Sequence, residues 1–78
     1  MNGIDKDLHK ILKKVFKKSK IPRNIKKLKL GDIKEWDSLG NFNLILEVEN
    51  YFKVKFNANN FSKISSIETI KKYLKNIN

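Results

Sequence analysis

Apolar residues recur every three or four positions in three stretches of the chain, which is the spacing of an amphipathic helix. These stretches predict helices over residues 4–18, 38–52 and 66–76. The apolar positions that define them are Ile4, Leu8, Ile11, Leu12, Val15 and Phe16; Phe42, Ile45, Val48 and Phe52; and Ile67, Ile70, Leu74 and Ile77. The middle stretch is the most hydrophobic, so we expect a core helix whose polar face carries Asn41, Asn43 and Asn50.

The segments between these helices show no long apolar period. Residues 19–36 form a long loop in which Pro22 is suited to open a short helical turn. Ser65 and Glu68 have the spacing of a capping box before the last helix, and Asn57 is suited to cap a short helix over residues 58–61. The alternating triplet at 54–56 has no partner strand, so it is interpreted as an extended connector. Five loop residues are expected to pack across the end of the helices: Ile21, Ile25, Leu28, Leu30 and Ile33.

Three apolar stripes in a short chain bury most readily against one another. The prediction is therefore an all-α bundle of three main helices and one short helix, with a long loop between helices one and two. Seventy-eight residues are enough for one modest core, so we expect a single domain over residues 1–78.

Composition excludes several kinds of site. The chain has no cysteine and one histidine, His9, so thiolate chemistry and a histidine-based metal cluster are excluded. No apolar run is long enough for a membrane span, and the first residues lack the apolar core of a signal peptide. We expect a cytoplasmic monomer without a metal site.

Charge is distributed unevenly along the chain. The formal net charge is +10. Residues 1–31 carry eleven basic and two acidic side chains, residues 32–52 one basic and five acidic, and residues 53–78 six basic and one acidic. An acidic segment thus lies between two basic ones. A biased residue usage would explain this balance at least as well as a specialised partner. The basic residues from Lys20 to Lys29 are interpreted most simply as a solvated face, with binding of phosphate or acidic surfaces as the alternative.

Ser38 lies inside the acidic segment, where the middle helix is expected to begin. Asp37 and Ser38 are both favoured at helix starts, because their side chains accept hydrogen bonds from unpaired N–H groups. Helix capping alone would explain them. Three features suggest more than capping: the large side chain of Trp36 in a connecting segment, apolar Leu39 after the serine, and the local acidic charge.

The stretch Trp36-Asp37-Ser38-Leu39-Gly40 and the pattern after it resemble the acyl carrier protein family. The later matching positions are Leu44-Ile45, Glu49-x-x-Phe52 and Val54-x-Phe56. The variant that begins with Trp-Asp resembles the stand-alone carriers of specialised pathways. The resemblance covers most of the chain, from the first helix to the last.

The resemblance implies that Ser38 carries a covalent 4′-phosphopantetheine arm donated by coenzyme A. The arm holds acyl or related intermediates as thioesters, and the carrier delivers them to partner enzymes of lipid, polyketide or related biosynthesis. It also implies that a phosphopantetheinyl transferase recognises Asp37 and Leu39 beside the serine, and that the chain itself is not an enzyme. A helix N-terminus would suit the anionic phosphodiester.

The resemblance carries two further expectations. Gly40 is interpreted as leaving room for the arm or for a docking enzyme. Five apolar residues are candidates to line a cavity for the acyl chain: Phe42, Leu46, Phe61, Ile64 and Ile67. The family is usually acidic overall, so this basic chain is expected to depend more on Leu39, Phe42, shape and local charge for recognition.

Two other functions compete with the carrier interpretation. A basic helical domain could bind nucleic acid, but only one of its eighteen basic residues is arginine, the residue favoured for reading bases. A hydrolase using Ser38 would need a positioned base, and His9 is the only histidine. No Gly-x-Ser-x-Gly motif is present. Neither alternative accounts for the pattern around Ser38 as well as a carrier does.

Overall fold

Residues 3–77 fold into three α-helices and one short 3₁₀-helix, which confirms the all-α prediction. In the computed structural model, which describes residues 3–77 and the side chains of residues 3–75, α1 covers Gly3–Val15, α2 covers Ser38–Phe52 and α3 covers Ile67–Ile77. The 3₁₀-helix Ala58–Lys63 precedes α3. The Ile77 side chain, assigned to the last apolar stripe, lies outside the described side chains. Among the described residues, β-type pairing is limited to one isolated bridge between Lys29 and Ser66.

The first helix ends three residues earlier than its apolar spacing predicts. The Phe16 N–H still donates to the Leu12 carbonyl at 2.8 Å, but the next residues form a turn. Glu35 explains the change, because its carboxylate accepts from the Lys18 N–H at 3.0 Å and from the Ser19 hydroxyl at 2.7 Å. A residue from the loop therefore ends α1 and leaves the Phe16 side chain in the core.

All three helices contribute to a single core. Its fully or nearly fully buried apolar residues are Leu8, Ile11, Leu12, Phe16, Ile25, Ile33, Trp36, Leu44, Ile45, Val48, Phe56, Ile64, Ile67, Ile70 and Leu74. Phe56 comes from the connector after α2, as expected of its alternating pattern, and Val54 is half-buried beside the core. Each Å² of apolar surface removed from water stabilises the folded state by about 25 cal/mol, so this core is the main stabilising contribution.

Contacts at both ends show that α1 and α2 pack antiparallel. Phe16 at the end of α1 stacks on Trp36, with ring centroids 5.7 Å apart, just before α2 begins. At the opposite end, the Tyr51 hydroxyl donates to Asp7 at 2.8 Å. This hydrogen bond, together with smaller desolvation and charge effects of the same sign, raises the pKa of Tyr51. An ion pair between Lys71 and Asp5, at 2.7 Å, joins α3 to α1.

The long connection between α1 and α2 is bound to the helices along its length. Its backbone pairs with the segment before α3, where the Leu30 N–H donates to the Ser65 carbonyl and the Ile67 N–H to the Leu28 carbonyl. Ile25 and Ile33 are buried, and Ile21 and Leu28 pack at the edge of the core. Leu30 is exposed, contrary to the prediction. The turn predicted at Pro22 occurs instead at residues 25–28, closed by the Leu28 N–H and the Ile25 carbonyl.

Side-chain caps define the starts of the later elements. Asn57 caps the 3₁₀-helix as expected, accepting from the Asn59 N–H at 3.0 Å. The capping box of α3 is shifted by one residue from the predicted Ser65 and Glu68. The Ser66 hydroxyl accepts from the Thr69 N–H at 3.1 Å, and Thr69 Oγ1 accepts from the Ser66 N–H at 3.0 Å. A threonine at this position performs the role usually taken by glutamate or glutamine.

The second helix ends on a residue in the left-handed conformation. Lys53 has a φ of 59°, and its N–H donates to the Glu49 carbonyl. Glycine is the usual residue at such a position, because other residues crowd their own backbone there.

Replacing Lys53 by glycine is therefore expected to raise the free energy of unfolding by up to about 1 kcal/mol. The measurement is a urea denaturation curve compared with wild type. Lys55→Gly is the matched control, since it removes the same charge from a connector position where φ is not positive. It should leave the protein unchanged or less stable. Equal stabilisation by both variants would show that charge removal, and not the left-handed backbone, is responsible.

No helix within residues 3–77 combines the length and the apolar character needed to cross a bilayer.

Candidate functional site

Ser38 is the first residue of α2 and its side chain is exposed. Asp37, the residue before it, is the N-cap and accepts a hydrogen bond from the Gly40 N–H at 2.8 Å. The Asp37 carbonyl receives the first intrahelical bond from the Asn41 N–H at 2.7 Å. The capping role that the sequence allowed for this pair thus belongs to Asp37. Ser38 is left at the surface of a well-anchored helix start.

Trp36 anchors that helix start from inside the core. Its side chain is fully buried and stacks on Phe16. The indole Nε1–H donates to Asn41 Oδ1 at 2.9 Å, and Asn41 Nδ2 donates to the Ile64 carbonyl at 2.8 Å. A buried polar group is costly unless it is hydrogen-bonded, and this chain satisfies the indole and both ends of the amide. It connects the long loop, α2 and the segment before α3.

Asn41 was missed as a buried residue, since its polarity placed it on the outer face of α2. It is 6% exposed. Its position gave a signal: Asn41 lies three and four residues before buried Leu44 and Ile45, on the same side of the helix. Trp36 gave a second one, because a buried indole N–H requires an acceptor.

Gly40 is required by packing and not by a need for open space. It is buried, and a Cβ atom added to it would collide with the Glu35 backbone carbonyl oxygen and lie 3.1 Å from Phe16 Cε1. The loop residue Glu35 thus approaches the first turn of α2 more closely than any side chain would allow. The interpretation that Gly40 leaves room for an arm or a docking enzyme is wrong, because that room is already filled by the protein's own backbone.

Each carboxylate of the acidic segment has a hydrogen-bond or ion-pair partner within the chain, although Asp32 and Asp37 remain exposed. These contacts organise the fold locally. The partners are Lys29 for Asp32, Lys18 and Ser19 for Glu35, Gly40 for Asp37, Lys14 for Glu47, and the Phe56 N–H for Glu49. The Lys14–Glu47 pair is the shortest of the ion pairs, at 2.6 Å, and joins α1 to α2.

An exposed apolar stripe runs along α2 from the residue after Ser38. Leu39 is 69% exposed, Phe42 46% and Leu46 42%. Their spacing of three and four places them on one side of the helix. The Phe42 ring also contacts Phe61 of the 3₁₀-helix, with centroids 5.6 Å apart. The surface beside Ser38 is therefore apolar, and Leu39 is its most exposed member.

The five residues expected to line an acyl cavity differ in burial. Phe42 and Leu46 belong to the exposed stripe, whereas Ile64 and Ile67 are fully buried in the core. Phe61 is partly buried, packs against the core and contacts the Phe42 ring. Leu46 instead borders an open groove of about 560 Å³ near the end of α2, together with residues that include Val54 and Lys55.

His9 is distant from Ser38 in the fold. Its Nε2 atom lies 3.1 Å from the Pro22 carbonyl oxygen, where it joins the first half of α1 to the loop. Ser38 follows Trp36, which packs at the other end of α1. Within residues 3–75, no group of three or more histidine, aspartate or glutamate side chains is arranged to hold a metal ion.

Comparison of the chain with protein-family models, with curated proteins and with solved structures found no match. The sequence pattern and the geometry described above are therefore the grounds on which a function is proposed.

Proposed function

We propose that this chain is an acyl carrier protein whose Ser38 is the attachment point of a 4′-phosphopantetheine arm. The observation that carries the proposal is the exposed Ser38 hydroxyl at the first position of α2, between the capping Asp37 and the exposed Leu39. The resemblance of residues 36–40 to the carrier motif supplies the chemistry. Intermediates would be held as thioesters on the thiol of the arm, which also explains how a chain without cysteine can carry them.

The start of α2 is suited to a phosphodiester. The first N–H groups of a helix have no intrahelical acceptor, and the helix dipole favours negative charge there. Asp37 already satisfies the Gly40 N–H. The N–H groups of Ser38 and Leu39 precede it and, by position, lack an intrahelical acceptor. A phosphate on Ser38 Oγ would lie beside them.

Anchoring of the helix start supports the role of a carrier. The Trp36–Asn41–Ile64 hydrogen bonds and the Glu35–Gly40 contact fix the backbone on both sides of Ser38. A transferase or an acyl-transferring enzyme would thus bind a serine whose backbone is held in a fixed position. All motion of the cargo would then come from the flexible arm.

The proposal assigns no catalytic role to Ser38. A serine nucleophile requires a base within hydrogen-bond reach, and the His9 ring contacts the Pro22 carbonyl from the middle of α1. The hydroxyl would therefore be activated by the transferase that modifies it. In that reaction the Ser38 oxygen would bond to the phosphorus that bears pantetheine, the pyrophosphate P–O bond of coenzyme A would break with release of adenosine 3′,5′-bisphosphate, and the transferase would take up the hydroxyl proton.

Recognition by partner enzymes would rest more on the exposed apolar stripe than on acidic charge. Leu39 directly follows Ser38, and Phe42 and Leu46 continue the stripe along the surface of α2, while the carboxylates of the segment have partners within the chain. This arrangement offers a transferase or an acyl-loading enzyme a small apolar contact area. Because apolar contacts do not require a negative net charge, such recognition is compatible with the high positive charge of the rest of the chain.

Mass spectrometry of the intact protein tests the proposal. Wild type is incubated with coenzyme A, Mg²⁺ and a broad-specificity phosphopantetheinyl transferase, and is expected to gain the mass of one phosphopantetheine group. Ser38→Ala should gain none. Ser62→Ala is the matched control, because Ser62 is also exposed and lies in the 3₁₀-helix; it should be modified like wild type. A folded wild type that stays unmodified, or a modified Ser38→Ala, would refute the proposal.

A further inference from the structure

Two open grooves adjoin at Lys26 and are lined by residues of α1, the long loop and α3. The first has a volume of about 580 Å³ and the second about 410 Å³. They share Lys26, so they form one surface, which we call the basic track. The first groove is lined by Asp5, Lys6, His9, Lys10, Arg23, Asn24, Ile25 and Lys26, and the second by Lys26, Glu68, Lys71, Lys72 and Lys75.

Positive charge on the basic track is mostly uncompensated. Seven of its lining residues are basic and two are acidic. One acidic residue, Asp5, is paired with Lys71 at 2.7 Å. Among the side chains of residues 3–75, Lys6, Lys10, Arg23 and Lys26 form no ion pair. Four like charges around one groove repel one another, and an anionic partner would relieve that repulsion.

The shape and floor of the first groove indicate the kind of anion. Ile25 lines it but is only 3% exposed, so the apolar part of its surface comes mainly from the side-chain stems of Lys6, Lys10, Arg23 and Lys26, beneath their charged ends. A groove with an apolar floor and a charged rim fits an extended chain that carries both carboxylates and small apolar side chains. A flat lipid surface would meet the rim but leave the floor uncovered.

Nucleic acid fits this surface less well. Single strands are bound by stacking their bases on aromatic side chains, and His9 is the one ring among the residues lining the track. That ring already contacts the Pro22 carbonyl. Arg23 is the track's single arginine, whereas bidentate reading of bases depends mainly on arginine. A nucleic acid would therefore be held on the basic track by non-specific charge attraction alone.

We propose that the basic track binds an acidic, extended segment of a partner protein. Carboxylates of the segment pair with Lys6, Lys10, Arg23 and Lys26, and an apolar side chain of the segment lies against the stems of these basic side chains. Lys10 precedes Phe16 by six residues, or about 9 Å along the axis of α1, and Phe16 packs on Trp36 near the start of α2. The track is thus separate from Ser38, and a segment bound there leaves the serine accessible. This binding is independent of the carrier proposal.

Isothermal titration calorimetry with a synthetic peptide of repeated Glu-Glu-Val triplets tests the inference, at physiological salt. The triple variant Lys6→Gln/Lys10→Gln/Arg23→Gln removes three charges from the track. Lys53→Gln/Lys55→Gln/Lys63→Gln removes three charges from residues outside both grooves, so the two variants have the same formal charge. Because the track variant loses three exposed charge pairs with the peptide, it should bind about tenfold more weakly than wild type. The control should bind within about threefold of wild type.

Several results would overturn the inference. Absence of saturable binding to wild type would do so, as would equal losses in the two variants, since these would reflect net charge alone. Tighter, track-dependent binding of a single-stranded oligonucleotide or of phosphatidylglycerol vesicles would assign the surface to another class of partner. Circular dichroism melts of both variants confirm that the compared proteins are folded. The titrations use unmodified protein, so their outcome does not depend on modification of Ser38.

Discussion

Trp36→Ala is expected to lower the free energy of unfolding by about 3–5 kcal/mol, a large part of the stability of the protein. The total stability of a domain of this size is on the order of 4–12 kcal/mol. Trp36 is the largest fully buried side chain. Its removal leaves a cavity beside Phe16 and deprives Asn41 Oδ1 of its donor. Thermal and urea denaturation followed by circular dichroism measure the loss.

Phe42→Ala is the matched control for Trp36→Ala. It also removes an aromatic ring, but this ring is 46% exposed and contacts Phe61 at the surface. The expected loss is below about 1.5 kcal/mol. Trp36→Phe separates packing from hydrogen bonding, because it keeps a ring against Phe16 while leaving the Asn41 amide oxygen without a donor. If Trp36→Ala melts within a few degrees of wild type, the buried anchor described above is not the basis of the helix start.

Gly40→Ala is expected to destabilise the protein by about 1–3 kcal/mol, although alanine is the better helix former by about 1 kcal/mol. The added methyl group would collide with the Glu35 carbonyl oxygen, which is backbone and cannot rotate away. The loop must then move off α2 and weaken the contacts of Glu35 with Lys18 and Ser19. Chemical denaturation gives the change in free energy.

Gly3→Ala provides the comparison for Gly40→Ala. Gly3 is also helical, and a Cβ atom there has no neighbour within 4 Å. This variant should be as stable as wild type or slightly more stable. A Gly40→Ala protein with wild-type stability would contradict the packing explanation. If that variant were also slow to accept phosphopantetheine, open space for an arm would again have to be considered.

Local signals were sufficient to predict most of the architecture. The bounds of α2 follow from a strong cap at Asp37 and a buried stripe that starts one turn later. The 3₁₀-helix begins where Asn57 can cap it. These features depend on residues close together in the sequence, so their physical causes can be read from spacing alone. The exposed position of Ser38 at the helix start was predictable for the same reason.

What the sequence did not predict depends on contacts between distant segments. Burial of Asn41 needs the Trp36 indole and the Ile64 carbonyl, and the latter is 23 residues away. The constraint on Gly40 comes from the path of the loop that carries Glu35. With Gly40 and Asn41 turned inward, Phe42 is turned outward, which explains why its predicted place in the core was wrong. The early end of α1 has the same origin, because Glu35 lies 17 residues from Lys18.

The buried Trp36 also gives the protein a single built-in optical reporter. It is the one tryptophan among 78 residues, it is shielded from water, and it lies two positions before the serine proposed to be modified. Its emission spectrum therefore reports on one place, the buried core region that supports the start of α2 and Ser38. A red shift would mean that water has reached this region. An unchanged spectrum after modification would mean that cargo can be loaded and unloaded while the supporting structure stays closed.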